Sequence, residues 1–280
     1  FTANNLSSHD VVPDIPTNNW CTLNELTNSD SLAVSEGSLK WDGDTYQRNC
    51  LGTLGVSSGK WYFECVHVNT GTASNGMNVG IATQGLGKWL SDPASTMPSG
   101  SYWHAIDSRS LFYNNTTSTS NSTSFTLGDV IGVAIDLDSA TNTITYTKNG
   151  TTVGSAQDLE SGQTWFPHVK ASSYTNTPRI LNFGQDGTFI GTETAGGNSD
   201  GTYGDFKYSV PSGYKALCSA NLSATIADPS AYFQTKTYDD GSGAKTFDGN
   251  SDLQPDLVWL KSRGSSNSHK LVDSVRGVEI

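Results

Sequence analysis

Ile131, Val133, Ile135 and Leu137 alternate with Val130, Gly132, Ala134 and Asp136 along one run of the chain. A period of two puts one set on one face of a strand and points that face at a core. Asp138-Ser139-Ala140-Thr141-Asn142 reads as a turn, and residues 143–148 return as the partner strand. Asn149-Gly150 is the strongest short hairpin signal, since both residues tolerate positive φ; residues 151–153 follow it. Lys60-Trp61-Tyr62-Phe63-Glu64-Cys65-Val66-His67-Val68 is aromatic and β-branched and leaves a Ser57-Ser58-Gly59 turn, which reads as a strand. Residues 78–82 read as a short buried strand, and further strands are expected at 165–170, 180–183 and 214–218. No segment keeps a helical period over three turns. Many short strands separated by turn signals predict an all-β fold, an antiparallel β-sandwich.

The segments between are long and polar. Residues 85–104 carry two Pro and three Gly, and residues 114–124 are almost wholly Asn, Ser and Thr. Residues 187–205 are rich in Gly, Thr, Asn and Asp and read as an excursion before a last strand. The text changes after Asn221. Ala227-Asp228-Pro229-Ser230 reads as a linker, and residues 256–261 as a new strand. The expected division is 1–222 for a sandwich with an N-terminal flank, and 223–280 for a linker and an incomplete β-rich unit. That second unit is too short to hold its own core.

Composition changes the picture in two ways. Charged residues make up 15% of the 280, against about 25% in an average soluble domain. Polarity comes instead from Ser, Thr, Asn and 29 Gly, which favour turns and strands. The balance of 16 Lys plus Arg against 27 Asp plus Glu gives a net charge of -11, which argues against nucleic acid and anionic membranes as partners. Aromatics at 10% argue against disorder. No run approaches the roughly 20 apolar residues of a membrane span, and no signal-peptide pattern opens the chain. The start at Phe1 reads as trimming or as a piece of a longer product.

Candidate chemistry is sparse. Cys21, Cys50, Cys65 and Cys218 form no C-x-x-C pair, so a zinc ribbon has no support and four free thiols are expected. Gly55-Val56-Ser57-Ser58-Gly59 has the G-x-S-x-G spacing of a nucleophile elbow. That motif needs a strand before the Ser and a helix after it; here a strand follows, so a plain turn is the better reading. Asp248, Asn250 and Asp252 have the first spacings of a calcium loop, but Leu253 and Trp259 stand where Gly and Glu are required. His9, His67, His104, His168 and His269 form no close metal pair. No catalytic residue, metal or cofactor is expected. The aromatics Trp89, Tyr102 and Trp103 in or beside the 85–104 segment are candidate contact residues, as platforms for a sugar ring or a protein hot spot. Asn115 and Tyr174 join them from the 114–124 and 171–178 segments.

Five motifs, in order, resemble one family. Ser58-Gly59-Lys60-Trp61-Tyr62-Phe63-Glu64, Val79-Gly80-Ile81-Ala82, residues 128–137, Ile144-Thr145-Tyr146-Thr147-Lys148-Asn149-Gly150 and Trp165-Phe166-Pro167-His168-Val169 resemble strands of SPRY (B30.2-like) domains, over residues 40–185. The resemblance implies a bent, concanavalin-like jelly roll of two antiparallel sheets. It also implies a non-enzymatic binding role carried by loops at one rim, here 85–104, 114–124 and 171–178. The flanks 14–20, 210–218, 255–263 and 269–277 resemble the text around such domains in tailed-phage and marine-virus structural proteins. A virion structural protein is therefore expected, a tail fibre or surface appendage on the particle's exterior. Its expected partners are copies of itself (a homo-oligomer, with a trimer as one form), other virion proteins, and a host-surface protein or glycan. Nucleic acid and membrane insertion are not expected. An intracellular SPRY adaptor and a glycan-binding or glycan-degrading tail spike are the alternatives.

Overall fold

The computed structural model describes residues 13–27, 34–42, 49–68, 77–86, 99–107, 111–115, 117–171, 178–222, 231–239, 253 and 255–276. The chain divides into two units, Phe1–Leu222 and Ser223–Ile280. Among the described residues, no helix is long and apolar enough to cross a membrane.

The first unit contains β1 (Val34–Ser35), β2 (Lys40–Asp42), β3 (Asn49–Leu51), β4 (Lys60–His67), β5 (Met77–Ala82), β6 (Trp103–Asp107), β7 (Leu111–Asn114), β8 (Thr117–Ser120), β9 (Val130–Asp136), β10 (Thr143–Lys148), β11 (Thr151–Asp158), β12 (Phe166–Ala171), β13 (Pro178–Asn182) and β14 (Lys215–Ala216). One sheet runs β1-β2-β13-β4-β9-β10-β11, and the other β3-β12-β5-β6-β7-β8. Every pairing between these strands is antiparallel except that of β14, which lies parallel to β4. The expected β-sandwich is present. A single apolar cluster joins Trp41, Phe63, Val133, Ile135 and Leu181 of the first sheet to Val79, Ile81, Ile106 and Val169 of the second.

The β10–β11 turn forms where the sequence asks for it. Asn149 and Gly150 take φ of 48° and 79°, and the Asn149 side chain accepts the Val130 N–H at 2.9 Å and donates to Asp129 at 2.7 Å. At the opposite end of β9, Asp136 organises the next turn. Its carboxylate accepts the N–H groups of Asp138 and Ser139 and meets the Lys60 ammonium at 2.7 Å. Burial opposes ionisation of Asp136, but Lys60, Ser139 and the two N–H groups overcome it and hold the carboxyl at about 2.

Two expectations need correction. The alternation along β9 predicts one covered face, yet all seven residues are buried. The excursion after β13 folds back over the outer face of the first sheet, where Phe206 and Ala216 pack on Tyr62 and Ala134. Its fastening is Glu64, a fully buried carboxyl in the apolar strand β4. Glu64 accepts the N–H groups of Lys207 at 2.9 Å and Tyr208 at 2.8 Å, the Tyr62 hydroxyl at 3.0 Å and the Asn182 amide at 3.5 Å. Burial pushes its pKa up to about 7 against the pull of those donors. The second correction concerns 114–124, expected as a loop: it contains the exposed edge strand β8.

In the second unit, β15 (Leu257–Leu260) pairs antiparallel with β16 (Lys270–Asp273) as a two-stranded hairpin. Leu257, Trp259, Leu271 and Val275 are exposed there.

Candidate functional site

Asn115 is the hinge of the rim. It sits between β7 and β8 with φ of 53°, a left-handed conformation that Asn tolerates better than most side chains. Its backbone N–H donates to the Trp103 carbonyl, and its side-chain oxygen accepts the Trp103 N–H, both at 2.9 Å. Its amide nitrogen reaches on to Glu160 at 3.2 Å. The other carboxylate oxygen of Glu160 meets His104 Nε2 at 2.8 Å. His104 in turn lies edge-on to Trp165, with ring centroids 5.4 Å apart. One half-buried carboxylate thus ties the β7–β8 turn, strand β6 and the segment before β12 together.

Neighbouring segments close the same end by backbone bonds. Val56 exchanges both of its hydrogen bonds with Trp165. The Thr83 N–H donates to the Tyr102 carbonyl, and the Tyr102 N–H donates to the Thr83 hydroxyl at 3.0 Å. Leu159 N–H donates to Asn142, and Gly59 N–H to the Asp138 carboxylate. Among the described residues, what is exposed on this frame is small and polar, with Gln84, Gly85, Ser99, Gly100, Asn114, Ser161, Gly162 and the four residues of β8. Such a surface recognises by shape and hydrogen bonding.

The His104–Glu160 pair resembles the base and orienter of a nucleophilic site, but its wiring is structural. Nε2 is taken by Glu160, and Nδ1 is buried without a hydrogen-bond partner. Burial lowers the His104 pKa, against the opposing pull of Glu160. His67 and His168 are also buried, and burial drives His168 down to about 3. The four cysteines are free and buried. Burial raises the thiols of Cys21 to about 11 and of Cys50 and Cys65 to about 12, which leaves no reactive thiolate at neutral pH. Ser57 and Ser58 stand in a turn that enters β4, as the plain-turn reading of G-x-S-x-G expects.

The five contact candidates fare differently. Asn115 and the half-buried Tyr102 stand at this rim. Trp103 does not stand in a loop: it opens β6, is 5% exposed and stacks on Tyr113 at 5.2 Å. The Lys170 ammonium lies 4.6 Å from its ring centroid, so its face is spoken for. Trp89, Tyr174 and the Asp248, Asn250 and Asp252 run lie outside the described residues. Sequence reasoning missed Glu160, a lone carboxylate in Leu159-Glu160-Ser161-Gly162, and no local signal marks it. It also missed Glu64, although a carboxylate flanked by the apolar residues of β4 is a visible signal.

Residues 60–186 match the SPRY domain family, and residues 228–280 match a domain of unknown function (DUF7483). No curated protein matches the chain. Among solved structures, the SPRY domain of human HERC1 is similar at 19% identity over 57% of this chain and 96% of that one, with a TM-score of 0.42. SPRY domains are generally non-catalytic interaction modules.

Proposed function

We propose that this chain is a non-enzymatic virion structural protein, a tail fibre or surface appendage, whose SPRY domain makes contacts through its polar rim. The observation that carries the reading is the exposed strand β8, Thr-Ser-Thr-Ser, presented at the edge of a sandwich whose neighbouring turn is fixed by Asn115 and Glu160. A fixed polar edge binds at low entropic cost, because little of it must be ordered on contact. The partner is a host-surface protein or glycan, or a neighbouring virion protein. The virion placement draws on the flanks 14–20, 210–218, 255–263 and 269–277 and their resemblance to viral structural proteins. Many copies on one particle would turn weak single contacts into firm attachment.

A second reading, an intracellular adaptor, is favoured by one observation: all four cysteines are free, which suits a reducing compartment. Electron microscopy of the native assembly separates the two. Labelling of the chain along a fibre or on the particle surface supports the virion reading, and its recovery as a soluble complex with a host protein sinks it. Within either reading, Thr117→Arg with Thr119→Arg is expected to weaken partner binding at least about tenfold with unchanged thermal unfolding. Undiminished binding removes β8 from the contact surface.

A further inference from the structure

The hairpin of the second unit separates its charges. Asp256 and Asp273 lie at its open end, where Ser274 donates to the first and Arg276 pairs with the second. The other end is the loop from β15 to β16. Residues 261–270 there hold Lys261, Arg263, His269 and Lys270, with Ser262, Ser265, Ser266, Asn267 and Ser268 between them and no Asp or Glu. All of them are exposed. In the first unit lysines are taken up by carboxylates, Lys60 by Asp136, Lys148 by Asp129 and Lys207 by Glu193. Among the described residues, Lys261, Arg263 and Lys270 have no carboxylate partner. The tip is nevertheless held in shape. The Lys261 ammonium donates to the Asn267 carbonyl, and the hydroxyls of Ser262 and Ser265 share a hydrogen bond of 2.8 Å. Trp259, 68% exposed at the base of the loop, donates its indole N–H to His269 at 2.6 Å.

We propose that this tip binds an anionic polysaccharide, with Lys261, Arg263 and Lys270 meeting its acid groups and Trp259 packing on a sugar ring. Charge selects the sign of the partner. Three unpaired cations with no carboxylate among them form a local positive field inside a chain of net charge -11. That net charge does not cancel the field at contact range, because exposed charges more than about 8 Å apart are largely screened at physiological salt. It does act on an extended partner. A nucleic acid or an anionic membrane is densely charged and meets the acidic remainder of the chain as well as the tip. A polysaccharide carries acid groups spaced along neutral rings, and the tip offers spaced cations, hydroxyls, an amide and one aromatic face in return. The side chains that hold the loop lower the ordering cost of such a contact. Exposed ion pairs are individually weak, so firm attachment needs several copies. This site lies outside residues 60–186 and does not rest on the role of the rim.

The test is titration calorimetry of the 280-residue chain with a heparin-derived hexasaccharide as the probe. Saturable binding that weakens as salt is raised is expected. Lys261→Gln, Arg263→Gln and Lys270→Gln together raise Kd about tenfold, the combined effect of three exposed ion pairs. Trp259→Ala raises it about fivefold, and Trp259→Phe, which keeps a ring, restores binding close to that of the parent. Maltohexaose, which has the rings without the acid groups, does not bind, and a hexathymidylate strand binds more weakly than the hexasaccharide. Circular dichroism of the variants matches the parent, since all four side chains are exposed. No binding of the hexasaccharide overturns the proposal, as does binding indifferent to the triple substitution or to Trp259→Ala. Hexathymidylate binding as tight as that of the hexasaccharide overturns it too. A failure of the rim reading leaves these outcomes unchanged, because every substituted residue lies in the second unit.

Discussion

Trp165 and Trp259 stand in similar text, Trp-Phe-Pro-His-Val and Leu-Val-Trp-Leu, yet the first is fully buried and the second is 68% exposed. Both local patterns promise strands, and both lie in or beside them. The difference is the number of strands available to close over each ring. Trp165 lies between two sheets of six or more strands, and Trp259 on a hairpin of two. Burial is thus a property of the assembly of strands, and a strand pattern alone does not grant it.

The largest expected effect follows directly. Trp165→Ala is expected to destabilise the sandwich by about 3–5 kcal/mol, through lost transfer energy and a cavity. Trp259→Ala is expected to change the same unfolding transition by under about 0.5 kcal/mol, as an exposed position does. Urea unfolding followed by circular dichroism measures both. Equal losses would mean that the hairpin is part of the same cooperative core, and the contrast between the units would fail.

The contrast also explains what could be read in advance. The β9–β10–β11 run was legible because alternation, an Asp-rich turn and Asn149-Gly150 are all local signals. Strand β8 was not, since an exposed edge strand of Thr and Ser has no apolar face to reveal itself. Strand β6 hid in a Gly/Pro-bearing stretch, which made buried Trp103 read as a loop platform. The second covered face of β9 was unreadable for a different reason. Its cover comes from Phe206 and Ala216, some seventy residues later in the chain. The rim was half legible: Asn115 was among the loop contact candidates, but its partner Glu160 lies 45 residues on.

Glu64 offers the next sharpest test, now within the sandwich. Its pKa is raised from 4.5 to about 7 by burial. A raised carboxyl favours the protonated folded state, so its stabilising contribution is complete below pH 4.5 and is lost as pH rises to about 7. The shift corresponds to about 3 kcal/mol at most. Asp136 is shifted the other way, to about 2, so its contribution changes only below about pH 4 and does not overlap this window. Over pH 4.5 to 7.5 this loss is opposed by His67, His104 and His168, whose pKa values burial lowers and which therefore stabilise the fold as pH rises. Glu64 is isolated by difference, and the unfolding free energy of Glu64→Gln minus that of the parent is expected to rise across the window. A difference between the two that does not change with pH would remove Glu64 from the titration. The excursion fastened by Glu64 should then loosen first, seen as faster amide exchange at Lys207 and Tyr208, whose N–H groups it holds.

The smallest effect separates the rim from the hairpin. Asn115 contributes two things, a tolerated positive φ and a side chain that bonds Trp103 and Glu160. Asn115→Gly keeps the backbone conformation and removes the bonds, at an expected cost of about 1–2 kcal/mol. Asn115→Ala removes the same bonds and adds the left-handed penalty of about 1 kcal/mol. The gap between the two variants therefore measures backbone strain alone, and the glycine variant measures the side-chain ties alone. If the rim is a fixed edge, both variants destabilise the sandwich in that order. If both are neutral, the β7–β8 turn is as loosely held as the second unit's hairpin, and β8 would have to be ordered by its partner at an entropic cost to affinity.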